Sequence, residues 1–438
     1  MGNLNLKGNI LVNDFIQELK WRGQFNNATP EIENLLNQEK ITGYIGFDPT
    51  SDSLHVGSLA QIITLIRFQK YGHKPIALVG GATGMIGDPS GKKAERKLLS
   101  EEEIRYNAEK IQNQLNTILN NNPFASEPIE MVNNIDWIKN LTVIDFLRDI
   151  GKRFTVNYML AKDAVKSRLE TEISFTEFTY QILQAYDFYW LFTHKNCKLQ
   201  MGGSDQWGNI TSGIELIRKM TGEEAHGITT NLITKADGTK FGKTESGNVW
   251  LDRNKTSPYK FYQFWINTSD EDAKNFIKIF TFLSKEEIDE LIEKHFQAPH
   301  ERLLQKRLAK EVTTLVHSKQ DYEDAVKASD ILFNGSIEEL AQLPDDLFKD
   351  IMEGVPVSHI PYSTLESGVE VVDFLTTYTN ILPSKSEARK MIQSNAISIN
   401  KQKISDTKQL ITPNHLINNK YILVQKGKKN YYLCYAEK

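Results

Sequence analysis

The chain has 438 residues and a formal net charge of −4; 40% of its residues are hydrophobic and 25% are charged. This composition predicts a globular protein of two or three domains and excludes a collagen, a disordered chain and a disulfide scaffold. Its two cysteines, Cys197 and Cys434, lie too far apart for a CxxC zinc or redox motif.

The first part of the chain predicts a parallel sheet. Residues 10–37 are predicted to be helical, and ITGYIGFDPT at 41–50 has the β-branched and aromatic bias of a buried strand. A helix from Ser58 to Gly72 and a second strand from Lys74 to Gly81 follow. A strand, a helix and a strand within about 40 residues form a βαβ unit, which begins a parallel sheet.

The same alternation continues through the middle of the chain. We predict a helix from Ser174 to Thr193, a strand at 197–203 and a helix at 209–220. Helical periodicity then dominates from Ser257 to Leu343. A loop that contains Pro344, Pro356 and Pro361 is predicted to lead into a small C-terminal module.

The end of the chain is basic, whereas the rest is acidic. Residues 383–438 carry 11 Lys and Arg against 3 Asp and Glu, a net charge of +8, and the other residues carry 41 against 53, a net charge of −12. This asymmetry indicates contact with RNA or DNA, although a solvated lysine-rich tail has the same composition. The apolar spacing of Ile397, Ile399 and Ile404 favours a folded module.

Two short motifs indicate phosphate chemistry. His55-Val56-Gly57-Ser58 lies between the first strand and its helix, where helix N–H groups attract phosphates. LITKADGTKFGKT at 232–244 places several lysines in a glycine-containing loop, and such cations can stabilise charge on a leaving pyrophosphate. Each motif alone fits a simpler interpretation equally well: a helix-entry histidine, or a solvated lysine turn.

As an ordered pair, these motifs resemble the two signatures of class I aminoacyl-tRNA synthetases. YIGFDPTSDSLHVGS, VGGATGMIGDPSGKK, FTEFTYQILQAYDF and LQMGGSDQWGNI resemble, in order and spacing, motifs of the bacterial tyrosyl-tRNA synthetases. SKSEARKMIQSNAISINKQKI resembles the small RNA-binding module of that family. The resemblance covers the chain from about residue 10 to its end and implies a ligase that activates L-tyrosine with ATP and passes it to the 3′ end of tRNA(Tyr).

The resemblance also implies an organisation. An α/β, Rossmann-like parallel-sheet catalytic domain at 1–256 would precede an α-helical, anticodon-side domain at 257–345. A linker at 346–367 and a small α+β RNA-binding module at 368–438 would complete the chain. We expect a cytoplasmic protein with no membrane partner, because no N-terminal signal pattern occurs and no apolar run approaches the roughly 20 residues that span a bilayer.

For tyrosine, the resemblance implies a pocket with polar partners. Tyr44 and Asp187 would hydrogen-bond the phenol, and phenylalanine would leave both unpaired. The rest of the amino acid would contact Asp88, Tyr180, Gln184 and Gln200. Tyr180, Gln184 and Asp187 are spaced i, i+4 and i+7, so one helix face can line the pocket, although a half-buried helix shows the same spacing.

For ATP and the adenylate, the resemblance implies contacts with Asp48, Thr50, His55, Gly57, Gly203, Asp205, Gln206, Leu232, Ile233 and Lys243. Asp205 would bind the ribose, although an aspartate after serine is also a common N-cap. Charge on the pyrophosphate that leaves Mg²⁺-bound ATP would be stabilised by the catalytic residues His55, Ser58, Lys240, Lys243 and Thr244. No dedicated protein metal site is expected. The family signature often ends in histidine where this chain has Ser58, so the role of that hydroxyl stays open.

The resemblance further implies a homodimer joined near Phe175, with one tRNA spanning both subunits. Arg218 and Lys219 would meet the acceptor stem. Lys385, Arg389 and Lys390 of the basic module would hold the anticodon end and the variable arm.

Three alternatives share parts of this pattern. A tryptophan-specific synthetase would have the fold without the Tyr44 and Asp187 pair. A small nucleotidyltransferase would have the first signature without the helical and RNA-binding regions. A non-catalytic RNA-binding protein would keep the fold with a degraded site.

Overall fold

The computed structural model describes residues 15–92, 98–124, 128–169, 172–239, 241–244, 247–333, 335–353, 355–427 and 430–437. Contacts within the chain group Met1–Lys319 into one compact unit and Gln320–Lys438 into a second. Within the described ranges, no helix combines the length and the apolar composition that a membrane span requires.

The first unit is built on a six-stranded sheet. Its strands are β1 Phe25–Ala28, β2 Thr42–Phe47, β3 Lys74–Val79, β4 Glu130–Asn133, β5 Cys197–Gly203 and β6 His226–Thr230. Their order is β1-β6-β5-β2-β3-β4, and every neighbouring pair is parallel except β1 with β6. The predicted parallel sheet is therefore confirmed. Because the chain proceeds from β2 towards one edge and from β5 towards the other, the sheet reverses its winding between β2 and β5.

Helices surround this sheet and continue beyond it in the first unit. They are α1 Phe15–Trp21, α2 Ile32–Gln38, α3 Val56–Lys70, α4 Glu101–Asn120, α5 Ile135–Ile138, α6 Val143–Asp145, α7 Val156–Leu160, α8 Asp163–Leu169, α9 Phe175–Lys195, α10 Trp207–Thr221, α11 Pro258–Ile266, α12 Asp270–Phe280, α13 Lys285–Gln297 and α14 Leu303–Val316. A small hairpin pairs β7 Lys243–Thr244 with β8 Gly247–Asn248.

Helix α9 carries three of the six predicted tyrosine contacts, and its ends are well defined. The Ser174 side chain accepts a hydrogen bond from the Glu177 amide at the start, and Asn196 ends the helix in the left-handed region with φ 49°. Phe188 and Leu191 of α9 join a buried cluster with Tyr44 of β2. This packing holds one face of α9 against the sheet.

The second unit contains the small α+β module. Its helices are α15 Lys319–Phe333, which begins at the boundary, α16 Ile337–Ala341, α17 Asp345–Ile351, α18 Tyr362–Glu366, α19 Val371–Asp373 and α20 Lys385–Gln393. Its strands are β9 Val357–Pro361, β10 Val369–Glu370, β11 Ile397–Ile399, β12 Gln402–Lys403, β13 Leu410–Ile411, β14 Tyr421–Lys426 and β15 Asn430–Glu437. Five of them form a sheet in the order β12-β11-β14-β15-β9. Ile397, Ile399 and Ile404 are buried in its core, so the prediction of a folded basic module is confirmed.

Two local predictions are wrong. Residues 25–28 form strand β1 instead of a helix, because antiparallel pairing with β6 at the sheet edge overrides the helical spacing around them.

The predicted proline-containing loop includes helix α17 and strand β9. Among the strands that the structure describes, β9 has β15 as its one neighbour and forms the edge of the sheet. Pro361 is its last residue, where a missing amide donor is tolerated. The four predicted ranges, 1–256, 257–345, 346–367 and 368–438, stay predictions.

Close packing between α9 and α10 gives a test of this core. A Cβ atom on Gly213 of α10 would lie 2.9 Å from the Phe188 ring, whereas one on Gly208 of the same helix would meet Lys162 at 3.7 Å. We expect Gly213→Ala to overpack this contact and destabilise the protein by about 1–3 kcal/mol, measured as a lower thermal midpoint. The control Gly208→Ala should leave the midpoint equal or higher. Equal midpoints for both variants would contradict this packing.

Candidate active site

Asp48 joins three elements at the carboxyl edge of the sheet. It follows β2 directly, and its two carboxylate oxygens accept hydrogen bonds from the Thr83 hydroxyl at 2.7 Å and the Tyr180 hydroxyl at 2.6 Å. Thr83 follows β3, and Tyr180 lies on α9. The amide of the exposed Thr50 donates to the Asp48 carbonyl oxygen at 2.9 Å, which turns the chain at the strand end. Asp48, Thr50 and Tyr180 are thus brought together.

Tyr44 and Gln200 present unpaired polar atoms beside the switch between β2 and β5. The Tyr44 hydroxyl and Gln200 Oε1 are buried and have no hydrogen-bond partner among the described residues. The two residues are register partners on adjacent parallel strands, so their side chains project from the same face of the sheet. An unpaired buried polar atom costs about 1–3 kcal/mol, so two neighbouring ones indicate a place that a polar ligand fills.

Asp187 is a buried carboxylate on the face of α9 that meets Tyr44. It is only 2% exposed, and its oxygens accept hydrogen bonds from Asn134 Nδ2 at 2.9 Å and Trp137 Nε1 at 2.8 Å. Burial raises the pKa of Asp187 to about 7, even though these two hydrogen bonds act in the opposite direction. At neutral pH this group can therefore either accept or donate a hydrogen bond.

Asn134 and Trp137 were not found from the sequence. Both lie just after β4 in the segment NNIDW, which carries no recognised motif; only the position at a strand end points to them.

Trp137 is also the inner ring of an aromatic stack. Its ring lies 4.2 Å from that of Trp190 with 9° between planes, and Trp190 lies 4.3 Å from His194 with 8° between planes.

A hydrogen-bonded network joins Asp88, Gln184 and Gln206. Gln206 Nε2 donates to Asp88 Oδ2 at 2.7 Å, and Gln184 Nε2 donates to Gln206 Oε1 at 3.2 Å. Asn209 Nδ2 donates to Gln184 Oε1 at 3.1 Å and to Gln206 Oε1 at 3.2 Å. Asn209 is a third residue that the sequence did not single out, and it ties the three predicted residues into one wall.

Gly203, Asp205 and Leu232 converge where β5 ends. A Cβ atom on Gly203 would lie 2.7 Å from Asp205 Oδ1 and 3.0 Å from Leu232 Cδ2, so a side chain there would displace the Asp205 carboxylate. Burial and the neighbouring Asp88 carboxylate raise the pKa of Asp205 above its usual range. Leu232 is 55% exposed and Ile233 is partly buried, so apolar surface stays open to solvent at this part of the carboxyl edge of the sheet.

The first signature begins α3. His55 is the N-cap residue, and its Nδ1 accepts a hydrogen bond from the Gly57 amide at 3.0 Å. A Cβ atom on Gly57 would lie 2.6 Å from His55 Cε1, so the ring position requires glycine there. The Ser58 amide donates to the His55 carbonyl oxygen at 2.8 Å, which places Ser58 in the first turn of the helix.

The second signature packs against the first. Gly242 has φ 82°, and a Cβ atom there would lie 2.9 Å from Val56 Cγ2. The Val249 amide donates to the Gly242 carbonyl oxygen at 3.1 Å, and the Val56 amide donates to the Val249 carbonyl oxygen at 3.0 Å. The backbone of Lys243 and Thr244 continues in β7. Lys240 and the side chains of Lys243 and Thr244 lie outside the described residues.

The other predicted residues lie on α10, on α20 and at the start of α9. Arg218 is an exposed residue in the last turn of α10 and pairs with Glu215, and Lys219 Nζ donates to the Arg153 carbonyl oxygen at 2.7 Å. In the second unit, α20 carries Lys385, Arg389 and Lys390, and Lys385 pairs with Asp373. Phe175 is the first residue of α9 and is 76% exposed.

Comparison with known proteins identifies relatives along the whole chain. A family model of class I tRNA synthetases (W and Y) matches residues 36–334, and one of the tyrosine–tRNA ligase SYY-like C-terminal domain matches residues 348–434. The chain is 55% identical over 429 residues to a tyrosine–tRNA ligase of Bacteroides fragilis, which covers 97% of this chain and 100% of that protein.

Two further relatives are also named as a tyrosine–tRNA ligase or a tyrosyl-tRNA synthetase. A tyrosine–tRNA ligase of Flavobacterium johnsoniae is 54% identical over 426 residues, or 96% of this chain and 99% of that protein. Among solved structures, a C-terminally truncated mitochondrial tyrosyl-tRNA synthetase of Aspergillus nidulans matches with a TM-score of 0.67 and 29% identity. That match covers 73% of this chain and 94% of that chain.

The raised pKa of Asp187 predicts a pH-dependent stability. Between about pH 4 and 7 the folded protein binds a proton at Asp187 that the unfolded chain releases, so the carboxylate lowers stability as pH rises through this range. Measured without ligand, the thermal midpoint of Asp187→Asn minus that of wild type should therefore rise by roughly 3–4 °C from pH 5 to pH 8. The exposed-site control Asp136→Asn should follow wild type. A constant difference between Asp187→Asn and wild type would contradict this assignment.

Proposed function

The chain belongs to the tyrosine–tRNA ligases of the class I tRNA synthetases, and from this membership we propose roles for the residues of its cleft. The enzyme activates L-tyrosine with ATP and transfers tyrosine to tRNA. The observation that carries the residue assignments is the pair of unpaired buried atoms on Tyr44 and Gln200 beside the buried carboxylate of Asp187. A phenol is the group that such a pocket fits.

In this proposal, the substrate hydroxyl donates to Asp187 and accepts from Tyr44. Asn134 and Trp137 each donate a hydrogen bond to one oxygen of Asp187, so they fix the direction of the carboxylate. Gln200 contacts the substrate next to Tyr44. Phenylalanine would fill the same volume and leave these groups unpaired, which is a stronger basis for rejection than a difference in size.

The ammonium group of tyrosine is proposed to bind near Asp88, Tyr180 and Gln184. The support is chemical, because the wall of this part of the cleft consists of carboxylate, hydroxyl and amide groups held in one network. The carboxylates of Asp48 and Asp88 both contribute negative potential, and their influence raises the pKa of Tyr180 further than its burial alone. A cation in this place would satisfy that potential.

ATP is proposed to lie along the carboxyl edge, from the ends of β2 and β5 to the start of α3. The nucleotide would contact Asp48, Thr50, Gly57, Gly203, Asp205, Gln206, Leu232 and Ile233. The ribose hydroxyls would meet Asp205. The phosphates would meet the N-terminus of α3, where amide groups and the helix dipole favour anions.

Activation begins when a carboxylate oxygen of tyrosine attacks the α-phosphorus of ATP. The bond to the bridging oxygen of the β-phosphate breaks, and pyrophosphate leaves with the electron pair. His55, Lys240, Lys243 and Thr244 are proposed to stabilise this developing charge, with Ser58 as an added hydroxyl donor. Mg²⁺ is proposed to arrive with ATP and to neutralise part of the phosphate charge.

In the second step, the 3′-terminal hydroxyl of the tRNA attacks the carbonyl carbon of the adenylate, and AMP leaves. We propose that Arg218 and Lys219 receive the acceptor stem and that Lys385, Arg389 and Lys390 contact the rest of tRNA(Tyr). Their support is the positive charge of these helix surfaces, which suits phosphate contacts. A cytoplasmic location is proposed because tRNA charging supplies protein synthesis there.

A homodimer is proposed from an apolar patch near the start of α9. We define this patch as five exposed side chains: Val143, Ile144, Leu147, Val156 and Phe175. The segment that carries most of them packs onto α9, since Ile150, Phe154 and Met159 share a buried cluster with Ile182. Large exposed apolar side chains on such packed segments are expected to be covered by another protein surface.

Amino-acid selection gives the first test. In ATP–pyrophosphate exchange with each of the twenty amino acids, wild type should respond to tyrosine alone. Asp187→Ala should lower the ratio of kcat/KM for tyrosine to that for phenylalanine by about tenfold or more, because a buried charged partner of the phenol is lost. Asp136→Ala, at an exposed position, should keep the wild-type ratio. If Asp187→Ala keeps it too, the phenol pocket lies elsewhere.

Oligomeric state gives the second test. Phe175→Glu places a charge in the apolar patch and should convert the dimer to a monomer in sedimentation velocity, because an unpaired charge is costly to bury. Phe296→Glu changes another exposed phenylalanine, which is 51% exposed and outside the patch, and should remain dimeric. A monomeric wild type, or a dimeric Phe175→Glu, would contradict this interface.

A further inference from the structure

Two buried arginines bind the C-terminal end of α12. Arg22 Nη1 donates to the carbonyl oxygens of Lys278 at 2.6 Å and Thr281 at 3.1 Å, and its Nη2 donates to that of Leu283 at 2.6 Å. Arg67 Nη2 donates to the carbonyl oxygens of Lys278, Ile279 and Thr281 at 3.1, 2.7 and 2.8 Å. The last four carbonyl groups of a helix have no partner within it and form its negative end, so two cations there hold it firmly.

Both guanidinium groups are themselves fixed. Arg22 is 2% exposed and Arg67 is fully buried. Arg22 Nε donates to Glu18 Oε1 at 2.9 Å, while the Trp21 indole and the Tyr71 hydroxyl donate to Glu18 Oε2, each at 2.9 Å. Arg67 Nη1 donates to Gln24 Oε1. Side chains held in this way define the position of α12 closely.

The body of α12 holds the second signature loop. The Ala236 amide donates to Asp272 Oδ1 at 2.8 Å. Phe241, from the same loop, is 3% exposed, and its ring lies 4.9 Å from the Phe276 ring and 5.2 Å from the Phe280 ring. The loop is therefore attached to α12 both by a charged hydrogen bond and by an aromatic cluster.

Helix α3 contacts both α12 and the second signature loop. Arg67 lies near its C-terminal end, and His55 and Gly57 lie at its start. The loop that α12 holds also packs directly onto that start through Gly242 and Val56. One end of α3 thus holds α12, and its other end meets the loop that α12 carries.

We propose that Arg22 and Arg67 are positioning residues for tyrosine activation: by binding the end of α12, they set the second signature loop against the start of α3. This inference rests on the proposed role of the loop lysines in stabilising pyrophosphate. Those lysines act on charge that appears in the transition state, so a displaced loop changes kcat more than the binding of tyrosine. A misplacement of about 1 Å can cost on the order of 100-fold in rate.

Arg67→Lys is the main test. Lysine keeps the charge but replaces the planar fork with a single ammonium group, so the carbonyl contacts cannot all be kept. In ATP–pyrophosphate exchange, we expect kcat per active site, counted by the tyrosyl-adenylate burst, to fall at least tenfold. The KM and the equilibrium Kd for tyrosine should change less than twofold, because the tyrosine pocket lies on α9, β2 and β5.

A purely structural role would give a different result. It would lower the thermal midpoint and the number of active sites but leave kcat per active site unchanged, and that outcome would overturn the proposal. So would a rise in KM for tyrosine with an unchanged kcat. If Arg67→Lys does not fold, Arg22→Lys is measured in the same way, with the same expected and contradicting results.

Two further variants make the test specific. Phe241→Leu loosens the same attachment, so the double variant with Arg67→Lys should lose less in kcat than the product of the single losses. A loss in kcat equal to the product of the two single losses would show that Arg67 and Phe241 act independently, which would contradict the proposal. Lys401→Met is the control: Lys401 Nζ binds the carbonyl oxygens of Ile331 and Gly335, each at 2.6 Å, at a helix end in the second unit. Its kcat should equal that of wild type.

Lys243→Met separates this inference from the proposed function. If Lys243→Met lowers kcat and Arg67→Lys does not, the loop acts as proposed but the arginines do not position it. If Lys243→Met leaves kcat unchanged, the proposed role of the loop itself is wrong.

Discussion

Parallel strands end at a common edge of their sheet, and this geometric constraint produces the site. Because β2, β3 and β5 run in the same direction, Asp48, Thr83 and Gly203 emerge side by side although they are far apart in sequence. The reversal of winding between β2 and β5 leaves a cleft that no connecting segment has to cross. Helix α9 closes one side of the cleft, and its packing through Phe188 brings Asp187 to Tyr44.

The two parts of the cleft differ in charge, and each suits one of the two substrates. Carboxylates, hydroxyls and amides line the part proposed for tyrosine, where a phenol and an ammonium need acceptors. The start of α3 and the lysine-containing loop provide the positive groups proposed for the phosphates. Gly57 and Gly242 matter here because they have no side chain. A methyl group on Gly57 would displace His55, and one on Gly242 would displace Val56. Within the positive part, Arg22 and Arg67 are the residues that we propose to set the lysine-containing loop against the start of α3.

Much of this was predictable from the sequence, for identifiable reasons. The βαβ pattern and the glycine-terminated strands fix the sheet type, and the lysines and glycines of residues 232–244 indicate phosphate chemistry. The resemblance to the family supplied Tyr44 and Asp187. Asn134, Trp137 and Asn209 were missed because their importance arises only from the residues they touch after folding. Strand β1 was missed because an edge strand is stabilised by pairing with β6, which its own four residues do not encode.

The stack of Trp137, Trp190 and His194 gives the protein an internal optical reporter. The two indoles are nearly parallel and close enough for their electronic transitions to couple, and the inner one is hydrogen-bonded to the carboxylate proposed to meet the substrate phenol. Occupation of that carboxylate changes the electric field along the Trp137 indole. Near-ultraviolet circular dichroism and tryptophan emission can therefore follow the filling of the pocket in real time, without a label and without the chemistry of ATP.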